Sequence, residues 1–296
     1  MSSEGKPESE KAKVISFINM KGGVGKTTLT INVGYTLVKE YQKKVLIIDM
    51  DPQFNATQAL MTKFKSIKEY TSLRDSQRTI ANILVNQSMS MVSDMSETDN
   101  KNHIVKLLDS DEKSQGQLDL VPGDLSLTEF ENSVRGSEKR LTKFIRDNQL
   151  AEKYHYILID TPATYSVYSQ ASLLSSSYYT VPIAPDIFSS LGYSLLQNAI
   201  RKDLVLDDHQ LTNLGIIFTM SSTYRQKRTS ISESFKNDPK FKNTLKENEN
   251  IRTGNIENFI YDMSKTKDNI VDITNEFIKR IGAQDESSKN TSTIQK

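Results

Sequence analysis

The chain has 296 residues, a formal net charge of +1 and no cysteine. The lack of cysteine excludes disulfide bonds, iron–sulfur clusters and cysteine nucleophiles, and the near-neutral charge means that any nucleic-acid contact must come from a local basic patch. Apolar residues make up 36% of the chain and charged residues 25%, which is typical of a globular domain, and no run approaches the roughly 18 apolar residues of a membrane span. These features favour a cytoplasmic protein.

The N-terminal region is predicted to be a flexible leader followed by a strand, a loop and a helix. Residues 1–12 are polar and mixed in charge, without the apolar segment that a secretory signal requires. Residues 14–18 form an apolar run, which predicts a strand, and residues 29–38 carry apolar side chains at helical spacing. Residues 19–28 connect the two and are rich in glycine and lysine.

This connecting segment, called the phosphate-binding loop below, is predicted to bind the phosphates of a nucleotide. Glycines allow consecutive backbone N–H groups to converge on an anion, and the start of the following helix adds a partial positive charge. Lys26 is predicted to neutralise the β- and γ-phosphates, and the Thr27 hydroxyl to bind Mg²⁺. The predicted nucleotide-binding residues of the loop are Lys21, Gly22, Gly23, Val24, Gly25, Lys26, Thr27 and Thr28.

The loop departs from the usual phosphate-binding pattern at its start. Met20 stands where the pattern has glycine, and Lys21 is an additional lysine ahead of the glycine pair. Two lysines this close repel each other unless phosphate charge lies between them. Lys21 is therefore predicted to act on phosphate together with Lys26.

Two later strands are predicted to bring carboxylates to the loop. Residues 45–49 and 156–160 are apolar runs that each end in aspartate, as expected of strands buried on both faces of a parallel sheet. The carboxyl ends of such strands are where α/β sheets bind ligands. Asp160 is predicted to hold Mg²⁺ through water, and Asp49 to support the loop or the Mg²⁺ shell. Asp51 is predicted to orient the attacking water in phosphoryl transfer.

The remaining segments are predicted to complete one doubly wound α/β domain over residues 13–282, with a mostly parallel sheet of six or seven strands flanked by helices. Residues 86–117 are predicted to be an irregular insertion with one short helix at 102–108. Thr219 and Met220 end the last predicted strand and are expected near the nucleotide base. A helix is predicted at 265–281, and the polar residues 283–296 are predicted to be a disordered tail.

These motifs resemble the deviant Walker A ATPases of the ParA family. The resemblance covers roughly residues 13–281 and is most specific in residues 21–28, 49–57 and 157–162. Phe54 stands where the family usually has glycine, and Ala163 where a second proline often follows; neither change removes a functional group. The resemblance implies ATP or ADP and Mg²⁺ as ligands and an ATPase that is slow without its partner.

The same resemblance implies a role in DNA segregation, above all of a low-copy plasmid. In that family an ATP-bound homodimer forms, and Lys21 would reach the nucleotide of the partner subunit. The dimer binds DNA non-specifically, on the nucleoid of a bacterial cytoplasm, until a ParB-type centromere-binding adaptor stimulates hydrolysis. Four basic residues are candidates for contact with DNA phosphates, although solvated helix faces explain them equally well: Arg225, Lys227, Arg228 and Arg252.

Three other functions fit parts of the sequence. A MinD-like ATPase that cycles on membranes would need an amphipathic C-terminal helix. Residues 283–296 are polar, with Ile294 as their one bulky apolar side chain, so no membrane partner is expected. A P-loop kinase or synthetase of the same group would need a small-substrate pocket. A nucleotide-gated interaction protein with negligible turnover would carry the same nucleotide site, and hydrolysis rates would distinguish it.

Overall fold

In a computed structural model, the described residues form a seven-stranded sheet with helices on both faces. The structure describes residues 11–85, 102–110, 115–219, 233–247 and 259–294, with side chains up to 286. The strands are β1 (Lys13–Phe17), β2 (Lys44–Asp49), β3 (Val105–Leu108), β4 (Gln117–Val121), β5 (Tyr156–Asp160), β6 (Tyr178–Ile183) and β7 (Thr212–Phe218). The α-helices are α1 (Lys26–Lys39), α2 (Asn55–Phe64), α3 (Ile67–Asp75), α4 (Ile80–Leu84), α5 (Arg140–Asp147), α6 (Leu150–Lys153), α7 (Val167–Leu174), α8 (Ser189–Lys202) and α9 (Lys267–Ile294). Short 3₁₀ segments are Leu125–Asn132, Ser137–Lys139 and Ile260–Asp262.

The strand order across the described sheet is β3-β4-β2-β5-β1-β6-β7. All neighbouring strands are parallel except β3, which runs antiparallel to β4. β1 lies between β5 and β6, so the loop that follows it is next to the carboxyl ends of both neighbours, where α/β sheets bind ligands. The predicted doubly wound, mostly parallel fold is confirmed.

The core lies on both faces of the sheet, which explains the continuous apolar runs in its central strands. On one face, Ile15 and Phe17 of β1 pack with side chains of α1, α2 and α9, among them Leu29 and Phe277. On the other face, alternate residues of β1, β2 and β5 pack with α4, α5, α6 and α7. A third cluster packs β6 and β7 against α8. The charged residues at the strand ends are thereby held in fixed positions.

The predicted short helix at 102–108 is wrong. Val105–Leu108 forms β3, the edge strand that pairs with β4. The unpaired edge of β4 presents backbone donors and acceptors that require partners, and this tertiary pairing overrides the local helical tendency. Residues 86–101 and 111–114 of the predicted insertion lie outside the described part of the chain.

The C-terminal helix is longer than predicted. We expected it to end at 281 and to be followed by a disordered tail, but α9 extends to Ile294. Asp285 explains part of this difference, because its carboxylate accepts a hydrogen bond from the Tyr178 hydroxyl at 2.5 Å and lies 2.8 Å from the Lys13 ammonium. This turn of α9 is thus anchored to β6 and β1, through contacts that join residues far apart in sequence.

The described part of the chain starts just before β1 with a contact to another element. The backbone N–H of Ala12 donates to the carbonyl of Ala151 at 2.7 Å, whereas residues 1–10 of the predicted leader lie outside the described part of the chain. Among the helices described, none combines the length and the apolar content needed to cross a membrane.

Candidate nucleotide-binding site

The phosphate-binding loop has the backbone shape of an anion site. Gly23 and Gly25 have φ values of +70° and +86°, in the left-handed region that favours glycine. Gly25 is the N-cap of α1, so the unpaired N–H groups of the first helical turn lie at the end of the loop. Val24 is 1% exposed and fixes the loop to the core. This geometry suits a phosphate group at the start of α1.

Gly22 and Thr28 are two further loop residues that the sequence singles out. A Cβ on Gly22 would lie 3.8 Å from the Cβ of Ala163, an ordinary contact, and its φ is not in the left-handed region. Packing within the chain therefore does not require glycine there, which favours the close approach of a ligand as the reason. The carbonyl of Thr28 accepts a hydrogen bond from the Asn32 side chain at 2.8 Å.

Lys26 lies at the centre of the loop. Its ammonium donates to the carbonyl of Lys21 at 3.2 Å, and the residue is only 7% exposed. Burial lowers the pKa of Lys26, while the nearby carboxylates of Asp160 and Asp51 act in the opposite direction. A buried cation of this kind is stabilised by an anionic ligand, because the ligand offsets the cost of removing the charge from water.

Thr27 connects the loop to the end of β5. Its hydroxyl donates to Asp160 Oδ2 at 2.7 Å, and the Thr30 hydroxyl lies 3.3 Å from Asp160 Oδ1. Burial and the charge of Asp49 raise the pKa of Asp160 well above its usual value. A hydroxyl beside a carboxylate is a donor set that Mg²⁺ prefers. Thr30 was not predicted, although its position three residues after Thr27 places both on one helix face.

Asp49 lies directly beside Asp160 in the pairing of β2 with β5. Its carboxylate accepts hydrogen bonds from the backbone N–H and the hydroxyl of Thr57, each at 2.8 Å, and from the N–H of Asp51 at 3.2 Å. Burial raises the pKa of Asp49 to about 7, although the Thr57 bonds act against this shift. Asp49 therefore holds the segment between β2 and α2 beside the phosphate-binding loop.

Asp51 lies in the turn between β2 and α2. Its Oδ1 accepts from the N–H of Gln53 at 2.9 Å, and its carbonyl accepts from the N–H of Phe54 at 2.8 Å. The Asp51 charge is near enough to Lys26 to raise the pKa of that lysine. The turn thus places a partly buried carboxylate at the phosphate end of the site.

Lys21 makes a different contact from Lys26. Its ammonium forms an ion pair with Asp186, in the segment after β6, and the two side chains are 51% and 37% exposed. Its backbone N–H donates to the Asn19 side chain at 3.0 Å, and Asn19 in turn donates to the carbonyl of Pro182 at 2.7 Å. Lys21 therefore lies at the exposed rim of the loop. Asp186 was not identified from the sequence.

Thr219, at the end of β7, packs against the phosphate-binding loop. Its hydroxyl donates to the Val24 carbonyl at 2.9 Å, and its methyl group would lie 3.4 Å from a Cβ on Gly25. The end of β7 is thus adjacent to the phosphate-binding loop, and the contact of Thr219 with the nucleotide base stays a prediction. Met220, which is predicted to lie near the nucleotide base, is outside the described part of the chain. The four basic residues predicted to contact DNA are also outside it: Arg225, Lys227, Arg228 and Arg252.

A glycine that was not predicted completes the surroundings of Asp49. The N–H of Gly123, just after β4, donates to the Thr57 hydroxyl at 2.7 Å, and that hydroxyl donates to Asp49. A Cβ on Gly123 would lie 3.0 Å from Asp49 Cγ and 2.7 Å from the Cβ of Phe54. No local signal marks this glycine, because its neighbours come from a segment more than sixty residues earlier in the chain.

Comparison with known proteins identifies the family of this chain. Residues 12–213 match a protein family described as an AAA domain. The chain is 32% identical over 214 residues to an uncharacterized protein of Methanocaldococcus jannaschii, and the match covers 71% of this chain and 73% of that protein. It is 28% identical over 212 residues to the virulence plasmid ParA family protein pGP5-D of Chlamydia psittaci, and this match covers 70% of this chain and 69% of that protein. A solved structure of a plasmid partition protein from Borrelia burgdorferi B31, bound to AMPPNP, superposes with a TM-score of 0.70 at 26% identity over 91% of this chain and 99% of that one. With its phosphate-binding loop and its paired strand-end aspartates, the chain belongs to this AAA-domain family and, within it, to the ParA family of partition ATPases.

Proposed function

We propose that this protein is an ATP-dependent DNA-segregation protein that works as a nucleotide-gated dimer. One observation carries the proposal: a single loop holds a buried lysine, Lys26, for its own nucleotide and an exposed lysine, Lys21, at its rim. A monomeric ATPase has no evident need for the second lysine. The similarity to plasmid-encoded and plasmid partition proteins supports the same role.

Mg²⁺·ATP fits the residues of the site. The start of α1 and Lys26 would bind the phosphates. Thr27 and Asp160 would hold Mg²⁺, with Asp49 in the second layer, and the ion would neutralise the charge on the phosphate oxygens. The AMPPNP in the Borrelia burgdorferi structure supports this ligand class.

Asp51 would orient the attacking water. Phosphoryl transfer depends on positioning and charge stabilisation more than on a strong base. The Gln53 N–H fixes one Asp51 oxygen, and Lys26 lies near enough to stabilise the charge that develops on the transferred phosphate. Hydrolysis is expected to be slow until an adaptor completes the site.

Lys21 would reach the phosphates bound by the partner subunit. To do so, Lys21 would break its ion pair with Asp186 and pair with a phosphate, which carries more negative charge than the carboxylate. Because both side chains are substantially exposed, breaking the pair costs roughly 0–1 kcal/mol. Dimerisation would thus depend on ATP, and the ADP-bound dimer would dissociate.

The ATP-bound dimer would bind DNA without sequence preference, on the nucleoid of a bacterial cytoplasm. Arg225, Lys227, Arg228 and Arg252 remain the proposed contacts with DNA phosphates, and a ParB-type centromere-binding protein the proposed adaptor. Contacts of this kind make affinity fall steeply with salt.

The experiment is to measure DNA retention and hydrolysis together. The protein should be retained on plasmid DNA of unrelated sequence with ATP but not with ADP, and DNA plus a candidate adaptor should accelerate phosphate release. Retention that ignores the nucleotide would contradict partition. An ATP-dependent dimer without measurable hydrolysis would instead indicate a nucleotide-gated interaction protein.

A further inference from the structure

Phe54 has an unusual backbone conformation. Its φ and ψ are 42° and 38°, in the left-handed region, and it is the N-cap of α2 without a capping bond from its side chain. A residue with a Cβ adopts this conformation only at a cost in free energy, and such strain persists where the surrounding structure imposes it. This strained residue ends the turn that begins at Asp51.

An aromatic partner and a close backbone hold Phe54 in place. Its ring stacks on that of Tyr70, from α3, with centroids 5.6 Å apart and an interplanar angle of 18°. Gly123 approaches so closely that a Cβ there would lie 2.7 Å from the Phe54 Cβ. The Tyr70 hydroxyl donates to the Gly123 carbonyl at 3.1 Å, so the two groups that confine Phe54 are bonded to each other.

These contacts continue into the nucleotide site. The N–H of Phe54 closes the turn by donating to the Asp51 carbonyl at 2.8 Å. On the other side, Gly123 donates to Thr57, which donates to Asp49. The stacked pair is therefore linked both to the carboxylate proposed to orient water and to the carboxylate beside the proposed Mg²⁺ site.

We propose that Phe54 and Tyr70 are a positioning pair for ATP hydrolysis, in which the stacked rings hold the Asp51 turn so that its carboxylate faces the attacking water. This inference depends on the proposed function of Asp51. In this proposal neither ring touches the reacting atoms. The pair acts by restricting the orientations of the Asp51 carboxylate. An effect of this kind changes kcat more than it changes the affinity for substrate.

Kinetic measurements on ring-removing and ring-preserving variants test the role. Tyr70→Ala and Phe54→Gly should each lower kcat about tenfold, with KM for ATP and AMPPNP affinity close to wild type. Tyr70→Phe and Phe54→Tyr keep the stack and should retain near wild-type kcat. The double variant Phe54→Gly/Tyr70→Ala should be no slower than the worse single variant, because the two side chains act as one unit.

Several results would overturn the positioning role. Equal losses in Tyr70→Phe and Tyr70→Ala would assign the effect to the hydroxyl and not to the stack. Parallel losses of AMPPNP affinity and thermal midpoint would indicate a structural role alone. An inactive Asp51→Asn beside a fully active Tyr70→Ala would remove the pair from the mechanism, whereas a fully active Asp51→Asn would refute the proposed function of Asp51 itself.

Hydrogen exchange gives a readout that needs no activity. In the nucleotide-free protein, the amides of Gln53 and Phe54, which bond to Asp51, should exchange about tenfold faster in Tyr70→Ala than in wild type. The amide of Ile157, in the buried strand β5, is the internal control for global stability, and its exchange should change less than that of Gln53 and Phe54. Unchanged exchange at Gln53 and Phe54 would overturn the inference whatever the kinetics show.

Discussion

Lys21 and Asp186 form an ion pair that joins the phosphate-binding loop to the segment between β6 and α8. Of the two lysines in the loop, Lys21 is exposed and forms this pair, whereas Lys26 is buried. An exposed lysine that already has a partner within its own chain must exchange that partner before it can act on a second subunit. In the proposed dimer, this contact would therefore oppose association weakly.

Removing this contact should favour the dimer. Asp186→Asn keeps an oxygen for the hydrogen bonds from the Phe188 N–H and the Ser189 hydroxyl but removes the charge that pairs with Lys21. The ATP-dependent dimer should then form at a severalfold lower protein concentration, since an exposed pair is worth about 0–1 kcal/mol. Analytical ultracentrifugation with AMPPNP measures this shift. Asp75→Asn, which breaks the exposed pair with Arg74, is the control and should leave the dimer unchanged.

The two loop lysines should have separable effects. Lys21→Ala should bind ATP with near wild-type affinity yet fail to form the ATP-dependent dimer. Lys26→Ala should lose nucleotide affinity by at least about tenfold, because it removes the buried cation that meets the phosphates. Nucleotide titration and light scattering on the same samples distinguish the two. A normal ATP dimer in Lys21→Ala would refute the proposed cross-subunit role.

Gly123 should tolerate no side chain. A Cβ there would come within 2.7 Å of Phe54 and 3.0 Å of Asp49, so Gly123→Ala should lower the free energy of unfolding by about 1–3 kcal/mol through overpacking and reduce hydrolysis. Gly192→Ala is the matched control: nothing lies within 4 Å of its Cβ, and alanine stabilises a helix interior by up to about 1 kcal/mol. Urea denaturation of both variants checks the contrast.

The contribution of Asp49 to the stability of the nucleotide-free protein should fall as pH rises through the acidic range. Burial raises the pKa of Asp49 to about 7, whereas an aspartate in the unfolded chain ionises near pH 4. Between these values the folded protein retains a proton that the unfolded chain has lost, so the free energy of unfolding decreases with increasing pH.

Urea denaturation at about pH 5 and about pH 7.5 measures this dependence. Asp49→Asn should show a smaller decrease than wild type, because the amide does not titrate. The same decrease in both proteins would show that Asp49 does not hold the proton.

The nucleotide site was largely predictable because its determinants are local. Glycine conformations, the start of α1 and the order strand–loop–helix depend on residues within one short segment, and Lys26, Thr27 and Val24 lie where that segment predicts. Asp49 and Asp160 end apolar strands, and parallel pairing brings such ends to one edge of a sheet. Their adjacency follows from the pattern, although the strand order that makes β2 and β5 neighbours does not.

Only the tertiary structure decided the contacts between segments that are distant in sequence. Residues 105–108 form the strand β3 because they pair with the edge of β4. Helix α9 continues past residue 281, where Asp285 contacts Tyr178 and Lys13. The partners of Lys21 and Phe54, namely Asp186 and Tyr70, come from other elements of the fold. The sequence by itself determined the chemistry of the phosphate-binding loop, because backbone geometry and charge at a helix start are local properties. The surroundings that orient Lys21 of this loop and Asp51 beside it depend on packing, which no local pattern records.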